Sequence, residues 1–599
     1  MSFYLTAIIL SLLFSQAISI SPRESAASYS NLNKFIASER RIALQGVLNN
    51  IGPDGSKVAG AGNYVVASPS KMNPDYFYTW TRDSALTLKM IVDEFIFGNR
   101  DLQPQIEKYV KAQAILQTVM NPSGPLLNHG LGLGEPKYEV DGTRFNGTWG
   151  RPQRDVNHNQ LQRAKLVIWP IISNDLSYVA QYWNQTGYDL WEEVYGSSFF
   201  TFQNSHRALI EGQNLGKKLG IECWACLGAM EVLCFISQYF WNGKYVISNV
   251  NVDNGRTGLD ANSILGPISI FDIDGSCDNP NLQPCNSKAL SNFRAVINSF
   301  RGIYSINAGI KNNSGIAVGR YPEDVYQGGN PWYLTTIGAA EFLYDAVAQW
   351  KNHKNLTVDS TSVKFFQDLY PAIKLKIYTN RDPEFKKILD TVTTYADSFV
   401  SIAQKYTPSS GSLAEQFDRK TGKPISANDL TWSYAAFVTM AQRRSGQYPP
   451  SWGSSASLAP PNCGPTSYDG SYAPAIAAGA PNITAPCQQY VQFNVNATTY
   501  FGESIYVVGN ITDLGNWDLN KALPLGAGQY TAEWPLWSLD TELLADSTIS
   551  YAYVRVQDCG QAPIYESRNR TLVTGECESG GLKVVRDKWT DDVGTSGGC

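Results

Sequence analysis

Tyr188-Asp189-Leu190-Trp191-Glu192-Glu193 sets three carboxylates among aromatic and apolar neighbours. Such surroundings disfavour the charged form of a carboxyl group and make one of them a proton donor near neutral pH. Glu192 and Glu193 are adjacent and point in different directions, so one acid is expected from the pair. A second carboxylate, Glu415, lies in a loop that leads to the aromatic segment Thr431-Trp-Ser-Tyr-Ala-Ala-Phe437. Cleaving a glycosidic bond requires one acid to protonate the leaving oxygen and a second carboxylate as nucleophile or as base towards water. The pattern is glycosidase-like.

The positioning elements are read from periodicity. From about Asn31 to Arg443 apolar residues recur at helical spacing, interrupted by long loops rich in Gly, Pro, Asn and aromatics. About a dozen helices are expected, in a toroid whose loops build a site at one end. From 451 to 486 the composition turns to Ser, Pro, Ala and Gly and reads as an interdomain linker. After it the period changes to strand alternation, as in Val491, Phe493 and Val495, so 487–586 reads as a small all-β sandwich, with 587–599 as a tail.

The 599-residue chain carries 17% charged residues and a net charge of −5, which excludes the basic excess that nucleic-acid or anionic-membrane binding needs. Its 15 Trp and 33 Tyr fit either a large aromatic core or sugar stacking. Residues 1–20, with an apolar run from Leu5 to Phe14, read as a secretory signal too short to span a bilayer. Ten widely spaced cysteines and eight Asn-X-Ser/Thr sequons agree with an extracellular protein. Cys223-Trp-Ala-Cys226 lacks a second CxxC or a His pair, so a disulfide is expected there and no metal or cofactor. A monomer is expected.

Tyr76-Phe-Tyr-Thr-Trp-Thr-Arg-Asp83, Leu133-Gly-Glu-Pro-Lys137, Trp149-Gly-Arg-Pro-Gln-Arg-Asp155, the Tyr188–Glu193 segment, Gly319-Arg-Tyr-Pro-Glu-Asp324, Asn330-Pro-Trp332 and Ala414-Glu-Gln416 occur in the order seen in fungal glucoamylases, glycoside hydrolase family 15. This resemblance implies that 21–450 form an all-α catalytic domain, an (α/α)6 barrel, which releases glucose from the non-reducing ends of starch with inversion. By position, Glu192 resembles the general acid and Glu415 the general base, with carboxyl groups about 6.5–9.5 Å apart to admit a water. Arg82 and Asp83 would hold the terminal glucose, Arg320 would clamp sugar hydroxyls or Asp189, and Asp189 and Glu193 would support the acid and bind substrate. Tyr76, Trp80, Trp149, Leu190, Trp191, Tyr326 and Trp332 would shape the subsites. Phe145 stands where the family commonly has Tyr.

The C-terminal module resembles a family 20 carbohydrate-binding module through Thr499–Gly509, Leu514-Gly-Asn-Trp517 and Pro535-Leu-Trp537. Trp517 and Tyr565 match the stacking pair of one site, Tyr530 is a further candidate, and Trp537 is expected in the core. Phe501 and Ala552 replace a Tyr and a Lys, so weaker starch binding is expected. The resemblance also implies the disulfides Cys223–Cys226, Cys234–Cys463, Cys277–Cys285 and Cys487–Cys577, with Cys559 and Cys599 left over. Between Asp155 and Trp169 the chain is too short for the full barrel helix of the family. The alternative this leaves open is a non-catalytic or weakly active starch-binding protein; a third reading is another exo-glycosidase on the same barrel.

Overall fold

The computed structural model describes residues 27–154, 164–456, 459–460, 462–484, 487–500, 502–557, 562–575 and 581–591. The signal reading and the segment 155–163 fall outside them, as do Cys559, Cys577 and Cys599.

Among the described residues twelve α-helices lie between Ala27 and Ser445: α1 (Ala27–Asn49), α2 (Thr81–Ile96), α3 (Gln103–Leu116), α4 (Trp169–Tyr182), α5 (Phe199–Leu219), α6 (Ala229–Tyr239), α7 (Asn262–Ser269), α8 (Ser287–Phe300), α9 (Tyr333–His353), α10 (Val363–Leu369), α11 (Pro383–Tyr406) and α12 (Thr431–Ser445). They form the (α/α)6 barrel expected from the sequence. Inner contacts run from α2 to α12, α12 to α9, α9 to α7 and α7 to α5, while α1 and α11 back the inner helices from outside. Polarity decides which helix lies inside. In α9 every residue from Tyr333 to Trp350 is buried, because the helix is apolar or small nearly all round. In α11 the buried residues Phe385, Ile388, Leu389, Val392, Tyr395 and Phe399 form one stripe, as suits an outer helix.

Local chemistry sets several helix ends. Asn286 accepts a hydrogen bond from the Lys288 N–H at 2.8 Å and caps α8. Pro383 opens α11, where its missing N–H costs nothing. Gly446 ends α12 in the left-handed region (φ 82°), which admits glycine without penalty. Before α4 the chain is helical from Ala164, with one π turn over Ala164–Ile168.

Residues 462–480 run along α4 as a strap rather than away from the barrel. Asn174, Ser177 and Gln181 share one face of α4. Asn174 donates to the Ala473 carbonyl (2.8 Å) and accepts from its N–H (3.0 Å), and Ser177 makes the same double contact with Ser471. Gln181 accepts from the Gly470 N–H and from the Tyr472 hydroxyl. Ala475, Ala478 and Ala480 then enter the main core. The Cys234–Cys463 disulfide anchors the start of the strap, and Cys223–Cys226 and Cys277–Cys285 are formed as well.

The C-terminal residues form two sheets. In the first, Gln488–Asn496 pairs antiparallel with Leu536–Leu544 and parallel with Lys583–Lys588. In the second, Glu503–Gly509 pairs with Thr548–Gln557, which also takes Ile564–Tyr565 and Arg570–Val573. Alternate residues Val491, Phe493, Val495, Ile505, Val507, Tyr551 and Tyr553 meet between them as a separate core, and Trp537 belongs to it.

Replacing Cys234 and Cys463 together by Ser frees a closure of 229 residues in sequence. The variant is expected to lose about 2–5 kcal/mol of unfolding free energy and to become sensitive to limited proteolysis within 464–480; thermal denaturation and mass-mapped digestion read both effects.

Candidate active site

The loops at one end of the barrel bring the distant motifs together. Thr79–Trp80 pairs antiparallel with Lys137–Tyr138, and α2 begins immediately after it. That pairing fixes the first turn of α2, which carries Arg82 and Asp83, both buried. Arg82 donates to Asp83 at 3.0 Å, to the Gln153 amide oxygen at 3.3 Å and to Glu192 Oε1 at 3.4 Å. Burial pushes the Asp83 carboxyl up, and the Arg82 charge opposes this.

Glu192 sits at the tip of a hairpin in which Gly187–Tyr188 pairs with Tyr195–Ser198. Its φ of 65° lies in the left-handed region, costly for a residue with a side chain. Asp189 stabilises this conformation. Its Oδ1 accepts the N–H groups of Glu193 (3.0 Å) and Val194 (3.1 Å), its Oδ2 accepts from Asn249 (3.1 Å), and its carbonyl accepts the Glu192 N–H (2.9 Å). Burial raises the Asp189 carboxyl against these donors. Thus oriented, Glu192 receives the Trp149 indole N–H on Oε2 at 2.9 Å and Arg82 on Oε1.

Glu193 points the other way, as adjacency requires. Arg320 meets its Oε1 at 2.8 Å, Arg256 donates to its Oε2 at 2.9 Å, and the Tyr321 hydroxyl bonds it as well. Burial alone would raise this carboxyl, but the Arg320 charge, Tyr321 and Arg256 together hold it below the ordinary glutamate range. Arg320 grips Asp324 with two bonds of 2.7 and 2.8 Å. Its partners are therefore Asp324 and Glu193, and among the described residues it makes no pair with Asp189.

Glu415 is fully buried at the start of a short hairpin in which Gln416–Phe417 pairs with Pro424–Ile425. The return strand brings Ser426 opposite. Glu415 Oε2 accepts from the Ser426 hydroxyl and from the Gln416 amide (2.9 Å), while Oε1 takes no hydrogen bond among the described residues. Burial pushes this carboxyl up to about 7; Ser426, Tyr76, the Arg320 charge and Gln416 pull the other way. The Tyr76 hydroxyl is bonded to that of Tyr326 at 2.7 Å.

Aromatic rings join the two carboxylates into one pocket. Trp191 lies 5.7 Å from Trp332 and stacks on Trp432 at 6.4 Å, Arg82 lies over Trp432, and Arg320 lies over Trp191, Tyr326 and Trp332. Leu190 is buried in this cluster, and Trp80 lies 5.5 Å from Tyr76 and 5.9 Å from Trp149. All the residues singled out in the barrel motifs converge here. Sequence reading missed Arg256, Asp260 (which accepts the Trp191 N–H at 2.8 Å), Asp324, Trp432 and Ser426. Asp324 and Trp432 stood in segments already noted; Arg256 and Asp260 lie in a loop with no comparable signal.

In the C-terminal module Trp517 is 39% and Tyr565 51% exposed, so both rings are open to a ligand. Trp517 follows Gly515 and Asn516 in a run of positive φ that turns the indole outward. Tyr530 is partly buried, its hydroxyl tied to the Thr499 backbone, whereas the neighbouring Tyr500 and Trp534 are exposed.

Site and fold define a carbohydrate-cleaving enzyme with an appended sugar-binding module, and comparison with known proteins agrees. The family described as "Glycosyl hydrolases family 15" matches residues 41–442, and "Starch binding domain" matches 488–583. The chain is 60% identical to "Glucoamylase P" of Amorphotheca resinae over 98% of both chains, and 46% identical to the "Glucoamylase" of Neurospora crassa over 93% of this chain and 94% of that one. Among solved structures it is similar to the glucoamylase of Hormoconis resinae (60% identity, TM-score 0.75, 95% of this chain and 100% of that one). It is similar also to the family 15 glucoamylase of Hypocrea jecorina (45% identity, TM-score 0.72, 94% and 100%). The chain belongs to glycosyl hydrolases family 15 and is a glycoside hydrolase. Nothing found supports the alternative of a starch-binding protein without catalysis.

Ser426→Ala removes a donor that favours the charged form of Glu415. Losing it is expected to raise that carboxyl by up to about one unit, so the acidic limb of the activity–pH profile moves to higher pH while the alkaline limb stays.

Proposed function

We propose that the protein is a secreted, exo-acting glucan 1,4-α-glucosidase that releases β-D-glucose from the non-reducing ends of starch and malto-oligosaccharides by inversion. One observation carries the reading: Glu192, bound by Trp149 and Arg82, and Glu415, buried beside Ser426, line one aromatic pocket in which Arg82–Asp83 and Glu193–Arg320 are already ordered. Buried groups with free valences suit a polyol. The indole N–H groups of Trp80 and Trp332 and Glu415 Oε1 have no partner among the described residues.

In this reading Glu192 gives its proton to the glycosidic oxygen as the C–O bond breaks. Glu415 takes a proton from a water that attacks the anomeric carbon from the opposite face, turning the α-linkage into a β-hemiacetal. Asp83 and Arg82 hold the terminal glucose, and Glu193 with Arg320 holds the next unit. Residues 1–20 act as the export signal, 21–450 as the catalytic domain and 487–586 as the starch-binding module, with the chain working as a monomer without cofactor. The names of the relatives support the substrate class, and the exposed Trp517 and Tyr565 support binding to starch chains by ring stacking.

Glu192→Gln and Glu415→Gln are each expected to lower kcat on maltoheptaose by about 10²–10⁴-fold, with substrate affinity retained. Proton NMR during turnover should show the β-anomer first; initial α-glucose would overturn inversion. Trp517→Ala should reduce retention on granular starch and leave hydrolysis of soluble maltoheptaose unchanged.

A further inference from the structure

Lys137, the last residue of the Leu133–Lys137 motif, has no part in the chemistry so far, yet it is 3% exposed. A buried ammonium needs compensation. Glu192, Asp75 and Glu139 act on it as charges, without a direct ion pair among the described residues. Four rings surround it instead: its Nζ lies 3.7 Å from the centroid of Trp149, 3.8 Å from Tyr78, 4.2 Å from Phe145 and 4.7 Å from Trp80. Ring faces carry partial negative charge, so the cage compensates the ammonium alongside the carboxylates of Glu192, Asp75 and Glu139. The register that pairs Lys137 with Trp80 puts the lysine under these rings.

Trp149 links the cage to the proton donor. Its face takes the Lys137 ammonium, and its edge donates the indole N–H to Glu192 Oε2 at 2.9 Å. A cation on the face draws electron density from the indole, makes the N–H a stronger donor and fixes the plane of the ring. It also sets a positive charge one ring away from Glu192.

We propose that Lys137 is a positioning residue for the proton donor: caged by Tyr78, Trp80, Phe145 and Trp149, it holds the Trp149 indole against Glu192 and sets the local charge there. The proposal rests on the assignment of Glu192 as the acid. Phe145 contributes to the cage through its ring alone, so this chain keeps the cage without the tyrosine common at that position.

The charged groups facing Lys137 are Glu192 on the acid hairpin, Asp75 and Glu139 on either side of the strand pair, and Arg151, which is itself paired with Glu135. Burial pushes the ammonium down to about 8, while the three carboxylates work against this. The cation is therefore present throughout the acidic and neutral range.

The test compares Lys137→Met, Lys137→Arg, Trp149→Phe, the Lys137→Met/Trp149→Phe double variant and Glu192→Gln in the full-length protein, on maltoheptaose across pH. Lys137→Met is expected to lower kcat about ten- to a hundredfold with little change in KM. It should also move the alkaline limb of kcat/KM to higher pH, because a donor without a neighbouring cation keeps its proton longer. Lys137→Arg keeps the charge and should return the limb to its wild-type position. Acting through one ring, the Lys137 and Trp149 effects should be non-additive in the double variant. An unmoved alkaline limb in Lys137→Met, or additive effects, would overturn the proposal. If Lys137→Met does not fold, Lys137→Gln takes its place: an alkaline limb moved to higher pH supports the proposal, and an unmoved limb overturns it. Full activity in Glu192→Gln would instead overturn the acid assignment, a result distinguishable from failure of the Lys137 proposal.

Discussion

The buried carboxylate of Asp189 is the contact on which the geometry of the site depends. By accepting the N–H groups of Glu193 and Val194 on one oxygen, it closes a tight turn and stabilises Glu192 in a left-handed conformation that a side chain ordinarily avoids. Glu192 then faces Trp149 and Arg82, while Glu193 faces Arg320 and Arg256. Two adjacent acids thereby receive opposite surroundings. One is dressed by two arginines and a tyrosine and held as an anion; the other meets an indole and the edge of a guanidinium. A turn without the Asp189 contacts would let the two side chains exchange environments, and neither would keep a defined task.

The second carboxylate is built differently. Glu415 comes from a hairpin more than 200 residues along the chain, and its burial is nearly complete. Its ionisation depends on a few hydroxyl and amide donors and on a distant guanidinium. The two halves of the pocket share no backbone element. They meet through rings, Trp191 tilted against Trp332 and stacked on Trp432, contacts that are short-ranged and need the barrel to be closed.

Much of this was legible in the sequence, for reasons that differ by residue. Arg82, Asp83 and Arg320 are legible only through the resemblance of their motifs to the family, whereas Glu192 and Glu415 also stand beside aromatic-rich segments. The helical character of 31–443 and the strand alternation after 487 follow from period alone, and both were found. Arg256, Asp260 and Ser426 carry no such mark. Each is an ordinary loop residue whose meaning comes from what the barrel brings opposite to it: Glu193, Trp191 and Glu415. The Ser/Pro/Ala/Gly composition of 451–486 likewise identifies a stretch unable to build its own core, but composition is silent on whether such a stretch docks. Here the polar face of α4, Asn174, Ser177 and Gln181, supplies the hydrogen bonds that an irregular backbone needs.

That docking sets the reach of the starch-binding module. Bound to the barrel as far as Ala480, the chain leaves only the residues 481–487 before the first strand of the module, a tether of at most about 25 Å when fully drawn out. An unanchored linker of the whole 451–486 stretch would let the module explore a far larger sphere. A short connection between two sites that bind the same chain gives each a high effective concentration for the other, up to the millimolar range. The strap thus limits how far along the chain the starch-binding domain can stand from the family 15 domain.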